Sequence, residues 1–136
     1  MKTFSNNKKA YFDYFVEKTI ECSVILYGYE VKGIRAGRSN LKNSFCTIDS
    51  KGIYSDFSIA DSDRLKTILM TKKERNICLK HSRIPGYSII PLEIYQDERT
   101  VIKVKIGICK GKKQYDKREV LKEKEMEKNI KDRYYD

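Results

Sequence analysis

The sequence has little of what a metal centre needs. It has one histidine, His81, and four cysteines that never form a Cys-x-x-Cys pair. A structural zinc site requires four clustered cysteine or histidine ligands, so we expect no metal site. Two of the cysteines, Cys22 and Cys109, fall in strand patterns, where a buried thiol acts as a small hydrophobe. A reducing compartment is the simplest setting for such unpaired cysteines.

Long apolar segments are also missing. No apolar run approaches the ~18 residues that a transmembrane helix needs, and the polar first nine residues lack the apolar core of a secretory signal. The C-terminal tail is basic but has no aromatic or aliphatic stripe, which disfavours binding to a membrane surface. We therefore expect no membrane partner.

Positive charge is abundant. The 136 residues include 29 Lys and Arg against 19 Asp and Glu, a formal net charge of +10, together with ten tyrosines. This length corresponds to one domain, given roughly 100 to 200 residues per domain. A small cationic protein rich in tyrosine favours a polyanionic partner, with nucleic acid first and a membrane surface second.

Composition divides the chain into three parts. Residues 1–10 predict a basic N-terminal arm, residues 11–110 a strand-rich body, and residues 111–136 a basic tail. The tail has few apolar residues, and an isolated helix of its length is marginal in water. We expect it to be disordered alone and to order on a partner. On composition alone, residues 111–118 are equally well explained as a solvated linker.

Apolar periodicity predicts the elements of the body. Period-two alternation indicates strands at residues 19–27, 87–95 and 101–110, and a hairpin over 44–59. Residues 29–37 predict a helix closed by Gly37, in which Glu30 lies near the N-terminus and complements the helix dipole. Residues 64–83 are helical in character, and Thr71 with Glu74 fits a capping box.

Hairpin connections and at most five strands predict a mainly β fold with flanking helices. An antiparallel sheet of this size tends to close and hide its edges, so we expect a small antiparallel β-barrel of the oligonucleotide-binding (OB) type. In the last strand, Lys103 and Lys105 face away from the aliphatic side. That lysine face suits either nucleic acid or plain solvent.

One pair of residues permits an enzymatic alternative. Cys78 and His81 stand three apart on a predicted helix, as a nucleophile and its base could. No third group that would orient the base is identifiable. We therefore expect no catalytic residues, no cofactor and no enzymatic activity.

Six stretches together resemble a known family. They lie, in this order, at residues 7–10, 28–38, 40–45, 61–69, 91–95 and 111–119. Each is weak alone, but their order and spacing are similar to those of the small protein B family, SmpB, the SsrA-binding proteins of bacterial trans-translation. The resemblance covers nearly the whole chain. Its departures are a short connection after Ile59, Ser62 and Thr67 in place of a usual proline and lysine, and Gly33 in place of a common serine.

The resemblance implies a function. It implies a monomer that binds the tRNA-like domain of transfer-messenger RNA (tmRNA, SsrA) and delivers it to stalled ribosomes for ribosome rescue. It also implies that the tail enters the empty mRNA channel near the decoding centre of the small subunit and folds there as a helix. The implied location is the bacterial cytoplasm, with an organelle stroma or matrix as the alternative. The competing function is a generic small RNA-binding barrel, such as a ribosomal protein or initiation factor.

The predicted site residues form two sets. In the family, the positions matching Glu30, Leu69 and Lys103 matter for RNA binding. The full RNA-binding set is Lys8, Lys9, Glu30, Lys32, Arg35, Arg38, Asn40, Lys42, Lys66, Leu69, Lys103 and Lys105. The set assigned to the ribosome and decoding centre is Gly111, Lys112, Lys113, Tyr115, Asp116, Lys117 and Arg118.

Overall fold

A computed structural model describes residues 2–49, 51–60, 62 and 64–112, and every structural statement below concerns that part of the chain. Its helices are α1 (Lys8–Asp13), α2 (Gly28–Arg35) and α3 (Lys72–Ser82). Its strands are β1 (Lys2–Asn6), β2 (Tyr14–Val24), β3 (Ser39–Asn40), β4 (Cys46–Ile48), β5 (Ile53–Ser55), β6 (Ser58–Ile59), β7 (Lys66–Leu69), β8 (Tyr87–Gln96) and β9 (Ile102–Gly111).

The main sheet is antiparallel and runs in the order β1-β8-β9-β2-β7-β5-β4, and β3 pairs separately with β6. The predicted closed barrel is not observed, because the described edge strands β1 and β4 do not pair with each other. The sheet curls until β4 lies against β8, and α3 packs on both strands. Strand β4 is only three residues long. Helix α3 packs where a longer ladder of hydrogen bonds would close the barrel.

The inner face of the curled sheet holds the main core. The alternation predicted for β9 is confirmed: Ile102, Val104, Ile106 and Ile108 are buried in one cluster with Ile20 and Cys22 of β2. Ile34 of α2 and Cys78 of α3 join the same cluster. Each fully buried aliphatic side chain contributes about 1.5–3 kcal/mol, so this face dominates the stability of the body.

The outer face of the sheet is covered over only part of its length. There Ala10 of α1 packs with Ile90, Leu92 and Cys109 in a second buried cluster. Gly107 is required beneath this cluster, since a Cβ at that position would lie 2.5 Å from Leu92 Cδ1. The alternate residues Lys103 and Lys105 continue along the uncovered part of the same face and leave it polar.

The N-terminal residues belong to the body rather than to a separate arm. Lys2–Asn6 adds β1 to the edge of β8, and the buried Asn7 accepts a hydrogen bond from Ala10 N at the start of α1. The Asn7 amide also donates to Leu41 O and Pro91 O, both at 3.0 Å. A polar edge strand is normal in sheets because polarity discourages further pairing, which explains why this segment has the composition of an arm.

The helix predicted over residues 64–83 begins later than expected. Lys66–Leu69 is the strand β7, hydrogen-bonded to β2 on one side and β5 on the other. Pairing on both edges overrides the local helical pattern. The Thr71–Glu74 capping box is confirmed, with Glu74 N donating to Thr71 Oγ1 at 3.1 Å, and α3 follows it.

Other elements match their predictions. The β4–β5 hairpin forms, with Asp49 Oδ1 accepting from Lys51 N and Gly52 N in the turn. Helix α2 is followed by Gly37 at φ +78°, the left-handed position that favours glycine. The two long strands β8 and β9 pair along nearly their full length.

Gly33 marks the closest approach of α2 to the short β6 strand. A Cβ at this position would lie 3.0 Å from Ile59 Cγ2 and 3.3 Å from Ala60 Cβ. Ala60 itself sits at φ +47° in the tight turn that joins Ile59 to Ser62. A side chain on this side of α2 would therefore require Ile59 or Ala60 to move by a few tenths of an ångström.

We expect Gly33→Val to lower the free energy of unfolding by about 1–3 kcal/mol, the usual cost of overpacking a filled site. Urea denaturation with a fluorescence or circular-dichroism readout would measure it. Gly28→Ala is the matched control, because nothing lies within 4 Å of a Cβ at Gly28, and it should change stability by less than about 0.5 kcal/mol. Equal stability of the Gly33 variant and wild type would contradict the close packing.

Candidate nucleic-acid interface

A buried carboxylate organises the start of α2. Glu30 is fully buried, and its Oε1 accepts a hydrogen bond from Tyr27 N at 2.7 Å. Ser62 Oγ donates to Glu30 Oε2 at 2.7 Å, and Arg64 forms an ion pair with Oε1. Glu30 lies in the first turn of α2, where its charge complements the helix dipole as predicted, and it also caps the helix through Tyr27 N. Because its side chain has no exposed surface, Glu30 can affect RNA only by positioning its neighbours.

The environment of Glu30 keeps it ionised. Burial acts to raise the pKa of the carboxyl, but the hydrogen bonds from Tyr27 N–H, Arg64 and Ser62 outweigh burial, so the pKa lies below its usual value of 4.5. A charged Glu30 thus holds Arg64 against α2 at neutral pH.

Two exposed tyrosines and this arginine form a flat surface, which we call the tyrosine platform (Tyr27, Tyr29 and Arg64). The Tyr27 and Tyr29 rings stack with centroids 6.1 Å apart, and the Arg64 guanidinium lies 4.4 Å from the Tyr27 centroid. Both tyrosines are 58% exposed. Exposed aromatic rings beside a cation are the groups on which unpaired bases stack, so the platform can accept RNA bases.

A second group crosses the sheet beside it, which we call the cross-strand row (Leu69, Ser23 and Lys103). The register places Leu69 opposite Ser23 and Ser23 opposite Lys103. Lys103 Nζ donates to Ser23 Oγ at 2.9 Å, and Leu69 is 49% exposed. Two of the three residues singled out by the family resemblance therefore lie on either side of Ser23 on the uncovered outer face of the sheet.

The backbone links the row to the platform. Ile25, two residues beyond Ser23, donates its N–H to Thr67 O, and its carbonyl accepts a hydrogen bond from Arg64 Nη2 at 3.0 Å. Arg64 thus anchors the chain between the end of β2 and the start of α2. Lys105, one pair further along β9, forms an ion pair with Glu93 at 3.4 Å.

Four other predicted residues, three lysines and one asparagine, lie together in a second area. A hollow between α1 and β3 is lined by Asn6, Asn7, Lys8, Lys9, Asn40 and Lys42. Lys9 Nζ donates to Asn43 Oδ1 at 2.9 Å, and Asn40 Oδ1 accepts from Lys42 N. The exposed cations leave this second area positive, and it does not include the cross-strand row.

The cations predicted in and just after α2 are exposed, whereas Lys66 is buried. Lys32, Arg35 and Arg38 are exposed, and Arg35 Nη2 donates to Thr100 O at 3.1 Å. Lys66 is fully buried, and its Nζ donates to Phe57 O at 2.7 Å and Ser62 O at 3.3 Å. The predicted RNA contact of Lys66 does not fit this position, because its charge is satisfied inside the body.

Comparison with known proteins decides the family. The family model described as SmpB protein matches residues 4–135. The chain belongs to the SmpB family. An SsrA-binding protein of Borreliella afzelii (strain PKo) is 40% identical over 135 residues, which are 91% of this chain and 89% of the relative. Another, of Bacillus subtilis (strain 168), is 41% identical over 140 residues, 95% of this chain and 89% of the relative.

A solved structure is similar as well. It is described as "tmRNA-SmpB: a journey to the center of the bacterial ribosome", and it matches with a TM-score of 0.66 at 30% identity. The match covers 80% of this chain and 84% of that chain. The antiparallel sheet and its helices are therefore an SmpB-type fold.

The beginning of the tail is described only as far as Lys112. Gly111 ends β9 and donates its N–H to Gly86 O. Lys112 Nζ donates to Tyr11 O at 3.3 Å and lies 5.0 Å from the Phe15 centroid. The remaining tail residues of the predicted SmpB-type site lie outside the described residues: Lys113, Tyr115, Asp116, Lys117 and Arg118.

The Cys78–His81 pair is not arranged for catalysis. Cys78 is fully buried, and burial raises the pKa of its thiol to about 11. His81 Nδ1 is bound to Ile77 O at 2.9 Å. A nucleophilic cysteine needs a thiolate at neutral pH, so this SmpB-family chain has no active nucleophile at Cys78.

Within the described ranges, no group of three or more His, Cys, Asp or Glu side chains could hold a metal ion. None of the helices in the same part of the chain has the length and hydropathy to cross a membrane.

Sequence reasoning missed the tyrosine platform of this SmpB-family chain. The ion pair that builds it joins Glu30 to Arg64 across 34 positions, and no local pattern reports a contact of that separation. One signal was available, because Tyr27 and Tyr29 flank Gly28 at the start of the family's Gly-x-Glu-Val-Lys pattern.

We expect Glu30→Gln to lower the free energy of unfolding at pH 7 by roughly 2–4 kcal/mol, because it leaves Arg64 without its buried counter-ion. The folded pKa of Glu30 is depressed, so its stabilisation is present above pH 4.5 and is lost as the pH falls through the lower folded value. The difference between wild type and variant should therefore shrink below about pH 4.5. Urea denaturation across pH 3–8 measures it.

The control for this experiment is Glu98→Gln, which removes an exposed carboxylate in the β8–β9 turn. Its stability should follow the wild-type curve within about 0.5 kcal/mol. A constant wild-type advantage over Glu30→Gln down to pH 3 would contradict the ionised, ion-paired state of Glu30.

Proposed function

We propose that this protein binds the tRNA-like domain of tmRNA and delivers it to stalled ribosomes in trans-translation. The observation that supports this proposal most strongly is the likeness, at 30% identity, to the SmpB of the tmRNA-SmpB structure on the bacterial ribosome. The family is one of RNA-binding proteins rather than enzymes, and the SsrA-binding relatives carry the same assignment in their names.

The geometry offers a surface suited to a folded RNA. Leu69 supplies an exposed apolar contact, Lys103 a cation for phosphate, and the tyrosine platform supplies stacking surfaces. Proteins recognise folded RNA by shape, phosphate and 2′-hydroxyl contacts, and exposed bases stacked on aromatic rings. We assign the cross-strand row and the tyrosine platform to the tRNA-like domain, with Glu30 positioning Arg64 and Tyr27.

The second positive area adds phosphate contacts to this proposal. Lys8, Lys9, Asn40 and Lys42 surround the hollow beside α1. Lys32 and Arg35 are exposed on α2, and the exposed Arg38 follows the helix. Contacts of this kind are sequence-tolerant and weaken steeply with salt. We assign them to the RNA backbone, so their loss should reduce affinity without changing the choice of RNA.

The tail is proposed to act separately from the body. The family model match continues to residue 135, which supports treating residues 111–136 as a functional part of the protein. In this proposal the segment Gly111 to Arg118 leads the tail into the empty mRNA channel, where Tyr115 stacks near the decoding centre. A tail that folds only in an empty channel would report the absence of messenger.

We regard the curled sheet as an open relative of the OB barrel, because β4 lies against β8 without a hydrogen-bonded ladder. OB-type surfaces commonly bind nucleic acid on one face of the sheet. The exposed cross-strand row would be that face here.

A titration separates this function from a generic RNA-binding protein. In a gel-shift assay at physiological salt, the protein should prefer the tRNA-like domain over an unrelated hairpin by tenfold or more, which is ~1.4 kcal/mol. The double variant Leu69→Ser with Lys103→Gln should lose most of that preference. No preference in the wild type would favour the generic alternative.

The matched control is Val101→Ser with Lys110→Gln. It removes one exposed aliphatic side chain and one lysine charge, as the test variant does, at exposed sites outside the proposed interface. It should bind the tRNA-like domain within about twofold of wild type. Equal losses in both double variants would mean that net charge and hydrophobicity, not the row, set the affinity.

The tail has its own test. Replacing Asp116, Lys117 and Arg118 together by Ala should leave binding to the tRNA-like domain unchanged, because the body makes those contacts. Tagging of stalled chains in a translation assay should be abolished. Equal loss of RNA binding and tagging would refute a separate role for the tail.

A further inference from the structure

Helix α3 carries an exposed set of cations that the proposed tmRNA interface does not use. We call it the α3 strip, and it consists of four cations and one amide: Lys72, Lys73, Asn76 and Lys80 of the helix and Arg83 at its C-cap. At 3.6 residues per turn they span about 100° of the helix and face away from the buried Cys78. All five side chains are exposed.

The cations of the α3 strip are unpaired within the described chain. No hydrogen bond or ion pair among those residues involves the side chain of Lys72, Lys73, Lys80 or Arg83. Lys72 and Lys73 also lie in the first helical turn, where the helix dipole favours carboxylates and disfavours cations. Helix stability therefore does not explain these lysines.

The surface between the cations has room for a ligand. Lys72, Lys73, Asn76, Ile77 and Lys80 line a shallow, solvent-open depression of about 490 Å³. The half-buried Ile77 forms its apolar floor, and the lysines form its rim. A sugar-phosphate backbone suits such a surface, since its phosphates meet the cations while a ribose covers the apolar floor.

The α3 strip lies on the opposite side of the sheet from the cross-strand row. Cys78 packs α3 into the core on the inner face with Cys22 and Val104. Lys103 alternates with Val104 along β9 and therefore points to the outer face. An RNA segment seated on the row therefore lies across the sheet from the strip.

We propose that the α3 strip binds the phosphate backbone of a ribosomal RNA segment while the outer face holds tmRNA. This inference rests on the proposed function, which brings the protein to the ribosome. Lys72 and Lys80 are separated by about 12 Å along the helix, at 1.5 Å per residue. Three lysines over that length suit a short run of successive phosphates rather than a single bound anion.

The test compares two variants of the full-length protein that lose the same charge. Lys72→Gln with Lys73→Gln and Lys80→Gln removes the three lysines of the strip and keeps good helix-forming residues. Lys2→Gln with Arg99→Gln and Lys110→Gln is the control at exposed sites elsewhere. Binding to purified ribosomes, without tmRNA, is measured by co-sedimentation from 50 to 300 mM KCl, and binding to the tRNA-like domain by gel shift.

We expect the strip variant to bind ribosomes at least tenfold more weakly at 150 mM KCl. The slope of log affinity against log salt should fall by about 2 to 3, because each lost phosphate contact contributes about 0.7–0.9. Its binding to the tRNA-like domain and its melting temperature should match the control. Unchanged melting excludes a merely structural role of the lysines.

Three results would overturn the inference. The first is equal ribosome binding by the strip and control variants. The second is loss of tRNA-like domain binding by the strip variant alone. The third is that the strip variant loses binding only to phosphatidylserine vesicles. A wild type that binds ribosomes through the strip but shows no preference for the tRNA-like domain would instead refute the proposed function and leave the strip intact.

Discussion

The charge of Glu30 is the constraint on which the candidate interface depends. A carboxylate with no exposed surface must be compensated inside the protein, and its partners come from the start of α2, from Ser62 and from Arg64. Meeting that requirement brings the connection after β6 against the helix and fixes Arg64 over Tyr27. The exposed aromatic surface is thus held in place by a residue that no ligand can touch.

The alternation of β9 then distributes the remaining functions. Its even-numbered residues from Ile102 to Ile108 enter the core, and its odd-numbered lysines stay on the outer face. Helix α1 covers one part of that face and helices α2 and α3 join the core on the other. Cations therefore lie on both sides of the sheet, with Lys103 and Lys105 on the outer face and the lysines of α3 on the other. This arrangement suits a protein that joins two large RNAs.

Local patterns predicted the elements whose stability is local. The long strands, the β4–β5 turn and the capping box of α3 are encoded within short windows, and they form as expected. The local pattern predicts helix for the residues of β7, but they form a strand because pairing with β2 and β5 decides their conformation. The prediction of a closed barrel is wrong for a similar reason, since closure depends on whether two distant edge strands pair. Helix α3 packs against β4 and β8 instead.

The candidate site divides in the same way. The family resemblance indicated Leu69 and Lys103, which the sheet register brings together through Ser23. Lys66 looked equivalent to other lysines in the sequence, but its position in a doubly paired strand buries it. Neither that burial nor the Glu30–Arg64 ion pair can be recognised without knowing which segments are neighbours.

The contact of Gly33 with Ile59 and Ala60 has an evolutionary consequence. The space that a side chain at residue 33 would need is filled by the tight turn after β6, so the residue allowed in α2 depends on the length of that turn. A longer connection could move away from the helix and make room for a Cβ. Insertions after Ile59 and substitutions at residue 33 should therefore show epistasis: each alters which changes are tolerated at the other.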